Sequence, residues 1–150
     1  MEMTVTELPP LHIRRATPDD AASVAELCRE LGYPATEEDI LKRIATLASS
    51  QVVFVACHEA KLIGWIDVAL AFHLQVPPFA LIGGLVVKDG VRGLGIGKRL
   101  CEAAEEWARA HGVSVIRVTS RTTRTDAHRF YLREGYDDVK TSRVFEKRLS

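Results

Sequence analysis

"VRGLGIGKRL", residues 91–100, sets three glycines (Gly93, Gly95, Gly97) in alternation and then runs into an amphipathic stretch. Glycine is a poor residue for starting a helix, because it gives up the most backbone entropy on ordering. The apolar run "FALIGGLVV" (79–87) precedes the loop and reads as a strand. Strand, glycine-rich loop and helix N-terminus together make an anion cradle. First-turn N–H groups have no acceptor inside the helix, and the helix dipole favours negative charge there. Glycines let a phosphate approach the backbone, and Arg92 and Lys98 add formal charge. A tight turn using glycine for positive φ is the plainer reading; the alternation and the flanking basic residues favour the anion site.

Two phosphate fingerprints fail here. The dinucleotide motif G-x-G-x-x-G does not match G-x-G-x-G, and no acidic residue follows about 20 positions on at a strand end. A Walker loop needs G-K-[ST], and Lys98 is followed by Arg99.

Downstream, Ile96, Leu100, Ala103, Ala104, Trp107 and Ala108 form one apolar stripe opposite charged residues, and His111-Gly112 closes that helix. "VSVIRVTS" (113–120) reads as a strand, "DAHRFYLRE" (126–134) as a short helix stopped by Gly135, and "TSRVFEKRL" (141–149) as a last strand. Upstream, "LHIRRAT" (11–17) begins as a strand. Thr17-Pro18 and Asp20 announce one helix, and Thr36 caps a second with an acidic first turn. "QVVFVAC" (51–57) and "LIGWIDVAL" (62–70) read as a hairpin joined by "HEAK", and the prolines of "FHLQVPP" (72–78) mark a turn. The order β-α-α-β-β-β-α-β-α-β makes one α/β domain with a mixed sheet, residues 11–150, after an N-terminal extension of residues 1–10.

Composition narrows the function classes. A chain of 150 residues can bury a core without staples. Twenty basic residues balance twenty acidic ones, so nothing draws the whole chain to nucleic acid or an anionic membrane. No apolar run approaches the ~20 residues of a membrane span, and the first ten residues lack the layout of a signal peptide. Cys28, Cys57 and Cys101 are dispersed without metal-ligand spacing, which suits core residues in a cytoplasmic, reducing setting; no metal is expected.

What does fit the loop is R-x-x-G-x-G, at Arg92, Gly95 and Gly97. Here the chain resembles the GNAT superfamily of N-acetyltransferases, in which this motif holds the pyrophosphate of acetyl-CoA. "SRTTRTDAHRFYLREGY" (120–136) and "ELGYP" (30–34) are similar to a small-molecule branch that includes aminoalkylphosphonate acetyltransferases. The resemblance implies a GNAT-like, mostly antiparallel sheet flanked by helices, with a bulge in the strand Ile82–Val87 and a splay from the strand 113–119. It implies that acetyl-CoA contacts Leu85, Val86 and Val87, the loop Arg92, Gly93, Leu94, Gly95, Ile96, Gly97 and Lys98, and then Ser120, His128 and Tyr131. Tyr131 would point its hydroxyl at the thioester sulfur as general acid. Tyr33 would cover the acceptor site, or pack beside Pro34. His128 would contact the cofactor or cap its helix locally, and Arg124 would reach a ligand or stay solvated.

Relatives often carry a glutamate on the strand before the glycine loop, and this strand has no acid. If the chain turns near Val76, Asp67 falls opposite roughly Gly84 or Leu85, beside the reacting thioester. Asp67 is thus a candidate base or amine-binding carboxylate, with His73 or a water chain as alternatives. The expected activity is acetyl transfer to a small-molecule primary amine in a ternary complex. A protein-directed acetyltransferase and a non-catalytic acetyl-CoA-binding module are the other readings. Homodimers are frequent in the family, and no residue pattern here decides that point.

Overall fold

The β-branched runs become strands β2 (Gln51–His58) and β3 (Lys61–His73) in a computed structural model that describes residues 11–91 and 94–150. The expected N-terminal extension, 1–10, and two expected cradle residues, Arg92 and Gly93, lie outside the described residues. The hairpin turn is Glu59-Ala60, with both residues in the left-handed region (φ 53° and 66°). That is the mirror-image turn whose twist suits a hairpin, built without its usual glycine.

The described residues fall into two compact units, one ending at Val118 and one spanning Thr119–Ser150. The first holds a five-stranded sheet in the order β1-β2-β3-β4-β5, with β1 at His12–Arg15, β4 at Val76–Val87 and β5 at Ile116–Val118. The first four strands pair antiparallel, and β5 joins β4 in parallel. The mixed, mostly antiparallel sheet is the expected one.

Helix α1 (Ala21–Glu30) follows a 3-10 turn at Pro18–Asp20, and α2 (Glu37–Ala45) follows the Thr36 cap. The Asp39 N–H donates to Thr36 Oγ1 (3.0 Å) and the Thr36 N–H returns to Asp39 Oδ2 (3.3 Å), a reciprocal capping box. Both helices pack on one sheet face: Val24, Ala25, Cys28 and Ile40 bury against Val55, with Trp65 alongside. Helix α3 (Ile96–Ala110) buries the stripe Ile96, Leu100, Cys101, Ala104, Trp107 and Ala108. A Cβ on Gly64 would meet Val86 O at 3.0 Å, Ile96 Cγ2 at 3.2 Å and Leu100 Cδ1 at 3.3 Å. Glycine at that point of β3 lets the first turn of α3 sit tight against the sheet, at the end of β4.

Asp20 anchors the chain entry to α1. It is 8% exposed, takes both arms of the Arg14 guanidinium at 2.8 Å, and accepts the Thr17 N–H at 2.7 Å. The Arg14 hydrogen bonds hold its carboxyl below the usual carboxylate range despite burial. A depressed carboxyl stabilises the fold above its ordinary pKa of ~3.9, and that contribution fades as pH falls through the folded value. Asp20→Ala is expected to cost about 1–3 kcal/mol near pH 7, Arg14 being partly solvated, and progressively less as pH falls below that ordinary value. Thermal melts of parent and variant from neutral to acid pH check this; equal losses throughout would mean the ion pair is not the cause.

Three sequence expectations change in part. The "FHLQVPP" stretch holds the expected turn, but at Leu74-Gln75 and not at its prolines: β3 runs to His73, and Pro77-Pro78 lie within β4. The register jumps from Ala71↔Phe79 to His73↔Val76, so the two prolines face only Phe72 across a bulge. A bulge tolerates residues that cannot donate to the ladder. The expected strand over 141–149 is absent from the described elements, and 113–120 is strand only over Ile116–Val118. Within its own unit the 141–149 segment has one helix and no other strand, and a strand exists only against a partner. Helix α4 (Thr125–Arg133) is that helix, closed at Gly135 (φ 93°).

Candidate active site

The glycine loop delivers the chain to α3 through Gly95, whose φ of 66° and ψ of 32° are left-handed. A Cβ there would meet nothing within 4 Å among the described residues, which leave the space beside the helix start open. Ile96, Gly97 and Lys98 form the first turn, whose N–H groups have no intrahelical acceptor, and no acidic side chain sits among them. Open space, free donors and Lys98 fit a phosphate group.

Strand β4 changes partners just upstream. Its parallel ladder with β5 covers Ala80↔Ile116, Leu81↔Arg117 and Ile82↔Val118, and then stops. On the other side, pairing with β3 jumps from Val68↔Ile82 to Asp67↔Gly84, leaving Gly83 as an unpaired extra residue. The bulge therefore sits where the β5 ladder ends. From Gly83 to Val87 the second edge of β4 has no strand partner among the described residues, and Leu85, Val86 and Val87 lie along it. A free edge offers unpaired backbone donors and acceptors to a ligand.

Asp67 faces this bulge. A turn at Leu74-Gln75 with an unbroken ladder would set Ile82 opposite Asp67. The bulges at Pro77-Pro78 and at Gly83 add two residues, so its partner is Gly84, as the sequence suggested by a different route. A Cβ on Gly83 would meet Asp67 Oδ2 at 2.8 Å and Oδ1 at 2.9 Å; one on Gly84 would meet the Trp65 ring at 3.1 Å. The carboxylate thus occupies the room that side-chain-free residues leave. Its Oδ1 is buried without a hydrogen-bond partner among the described residues. Burial pushes the carboxyl above the usual carboxylate range, and backbone hydrogen bonding from Gly84 offsets part of that. Trp65 and Asp67, two residues apart on β3, share the sheet face that carries α1 and α2.

The other expected residues are placed as follows. Tyr33 is 54% exposed in the loop after α1, its N–H bonded to Cys28 O. His73 pairs at the far hairpin turn, six residues along β3 from Asp67, or roughly 20 Å. Its ring meets Phe79 edge-on, so the structure does not bring it to the bulge. In the second unit, Ser120 is half-buried and Arg124 exposed. His128 Nε2–H donates to Arg121 O at 2.7 Å, tying the loop before α4 to the helix. Tyr131 stacks edge-on with Phe130 (5.2 Å between ring centres) and with Tyr136 (5.6 Å).

Sequence reasoning passed over Gly64 and Gly83, which set the approach of α3 and the place of the bulge. A glycine within an apolar strand was the available signal for both.

Comparison with known proteins adds the following. The acetyltransferase (GNAT) family profile matches residues 19–136. The chain is 36% identical to the aminoalkylphosphonate N-acetyltransferase of Salmonella typhimurium over 136 residues, 86% of each protein. Among solved structures, aminoglycoside N-acetyltransferase AAC(6')-Iy in complex with CoA superposes with a TM-score of 0.83 at 17% identity, covering 94% of this chain and 97% of that one. The aminoglycoside 6'-N-acetyltransferase AAC(6')-Ih of Acinetobacter baumannii gives 0.80 at 18%, covering 93% and 99%. At those identities the two structures speak for the fold alone.

Proposed function

We propose that this chain, which belongs to the acetyltransferase (GNAT) family, transfers the acetyl group of acetyl-CoA to the primary amine of a small molecule by direct attack in a ternary complex. The observation that carries the reading is the bulge at Gly83. It ends the β5 ladder and leaves a free strand edge leading to an open helix N-terminus. Acetyl-CoA supplies the activated thioester, whose C–S bond breaks as the amide forms, and the remaining product is the thiol of CoA.

The chain's own groups divide the remaining work. The loop about Gly95 and Gly97, with Lys98, would hold the pyrophosphate, and the β4 edge from Leu85 to Val87 would align the pantetheine arm. Donors on that edge would meet the carbonyl oxygen as it gains negative charge. Holding both reactants in line makes the attack effectively unimolecular. Asp67 would attract the acceptor ammonium and take its proton, directly or through one water. Tyr131 would return a proton to the sulfur from its Oη. Tyr33 is proposed to border the acceptor site, and Ser120 and His128 to line the cofactor side through the loop before α4.

Aminoalkylphosphonates are the first acceptors to try, given the 36% identity to a relative so named. A cytoplasmic setting is proposed from the three free cysteines, and no helix among the described residues is long and apolar enough to cross a membrane. Homodimerisation is proposed on family grounds, and light scattering reads it directly. Zero formal charge supports a protein without a nucleic-acid partner.

The test is thiol release from acetyl-CoA across aminophosphonates, polyamines, aminoglycosides and peptides, with calorimetry for acetyl-CoA, CoA, NAD and ATP. Turnover with a small amine and tight binding of only the first two ligands is expected. Preference for a nucleotide lacking the pantetheine arm would sink the assignment.

Asp67→Asn keeps the shape and removes the charge. It should lower kcat/KM for the amine at least about tenfold, with the loss shrinking at high pH, where the amine is already neutral. Stability should move the other way. The folded state holds the Asp67 proton more tightly than the unfolded chain, so ionising it above that range costs stability. The asparagine variant should therefore melt at or above the parent temperature at pH 8 and match it in acid. A parent-like pH–rate profile would rule Asp67 out and leave a water chain as proton acceptor.

A further inference from the structure

We infer that Gly83 is a positioning residue: its bulged, side-chain-free backbone is the seat of the Asp67 carboxylate, which holds the reacting base on β3 instead of β4. The inference rests on the acetyltransferase reading and specifies how its carboxylate is held.

Three independent features meet at this one residue. Gly83 is the extra residue of the β3–β4 register shift between Asp67/Val68. It directly follows Ile82, the last β4 residue paired with β5. A Cβ on it would lie 2.8, 2.9 and 3.1 Å from Asp67 Oδ2, Oδ1 and Cγ, with no other neighbour as close. Gly83 does not have the positive φ that would demand glycine, so backbone conformation is not the reason for it. What glycine provides here is room, and the carboxylate fills that room.

The exclusion is also selective. A methyl on Gly83 would meet Asp67 side-chain atoms and no backbone atom among its three nearest neighbours. Gly83→Ala should therefore displace the carboxylate while leaving the ladder in place. Gly84 differs: its Cβ would press first on the Trp65 ring, which packs against the α1–α2 core.

A double-mutant cycle tests this with the full chain and an amine found active with the parent. Gly83→Ala should lower kcat/KM for the amine about tenfold when Asp67 is present and less than about twofold in the Asp67→Ala background, where no carboxylate remains to displace. The affinity for acetyl-CoA should hold throughout, and the acid limb of the pH–rate profile should move in Gly83→Ala alone. Equal losses in both backgrounds would overturn the inference, as would a parent-like Gly83→Ala enzyme. Should Gly83→Ala not fold, Asp67→Glu carries the test, because one added methylene pushes the carboxylate past its seat. Reduced kcat/KM with unchanged acetyl-CoA affinity then supports the inference, and parent-like turnover overturns it. A parent inactive toward every amine would instead remove the acetyltransferase reading, and the inference with it.

Discussion

Tyr131→Phe is expected to lower kcat roughly 100- to 10,000-fold while leaving acetyl-CoA affinity within about twofold, the usual range for losing a positioned proton donor. A thiolate leaving an acetyl group needs a proton. A phenol with a pKa near ~10 stays protonated at neutral pH and can supply it. Phenylalanine keeps the ring, so the edge-on contacts with Phe130 and Tyr136 survive. A thermal melt of the variant separates any structural loss from the loss of chemistry. The measurement is steady-state kcat with a verified amine, beside calorimetric acetyl-CoA affinity. A parent-like kcat would show that water or the amine protonates the leaving group.

Gly95→Val should cost most of the acetyl-CoA affinity. Gly95 caps α3 in a left-handed conformation that a β-branched residue adopts only under strain, of order 1–3 kcal/mol. If that strain is relieved by re-aiming the first turn, the dissociation constant should rise roughly 5- to 150-fold on that account alone. The added side chain also points into the open space proposed for the pyrophosphate. Gly95→Ala should lose less, lacking the branch. A valine variant that melts and binds like the parent would mean that the phosphates are held elsewhere.

The glycine loop and the helix it opens were legible because everything that makes them is local. Gly95 and Gly97 follow a strand and open an amphipathic helix within a few residues, and their spacing excluded two other phosphate loops. The capping box at Thr36 and the α3 stripe were readable for the same reason. Cys101, expected in the core from its dispersed spacing, proves to lie on that stripe, buried. The 72–78 stretch does turn, at Leu74-Gln75, but not at the prolines that marked it. Only the ladder reveals that Pro77 and Pro78 sit opposite Phe72 in a bulge.

The sequence by itself determined the order of elements from β1 to α4, the helix starts, the glycine loop that opens α3 and the lack of an acid on β4, all properties of neighbouring residues. Tertiary structure alone decided how the Asp67 carboxylate, which the sequence had singled out, meets the bulge at Gly83. Asp67 and Gly84 are brought together across a hairpin whose turn lies earlier than the prolines suggest, with two bulges restoring the register. Each one-residue slip moves a side chain to the opposite face of the sheet. Whether Asp67 lies buried over Gly83 therefore depends on the whole β3–β4 ladder, a sum of distant pairings that no local pattern encodes.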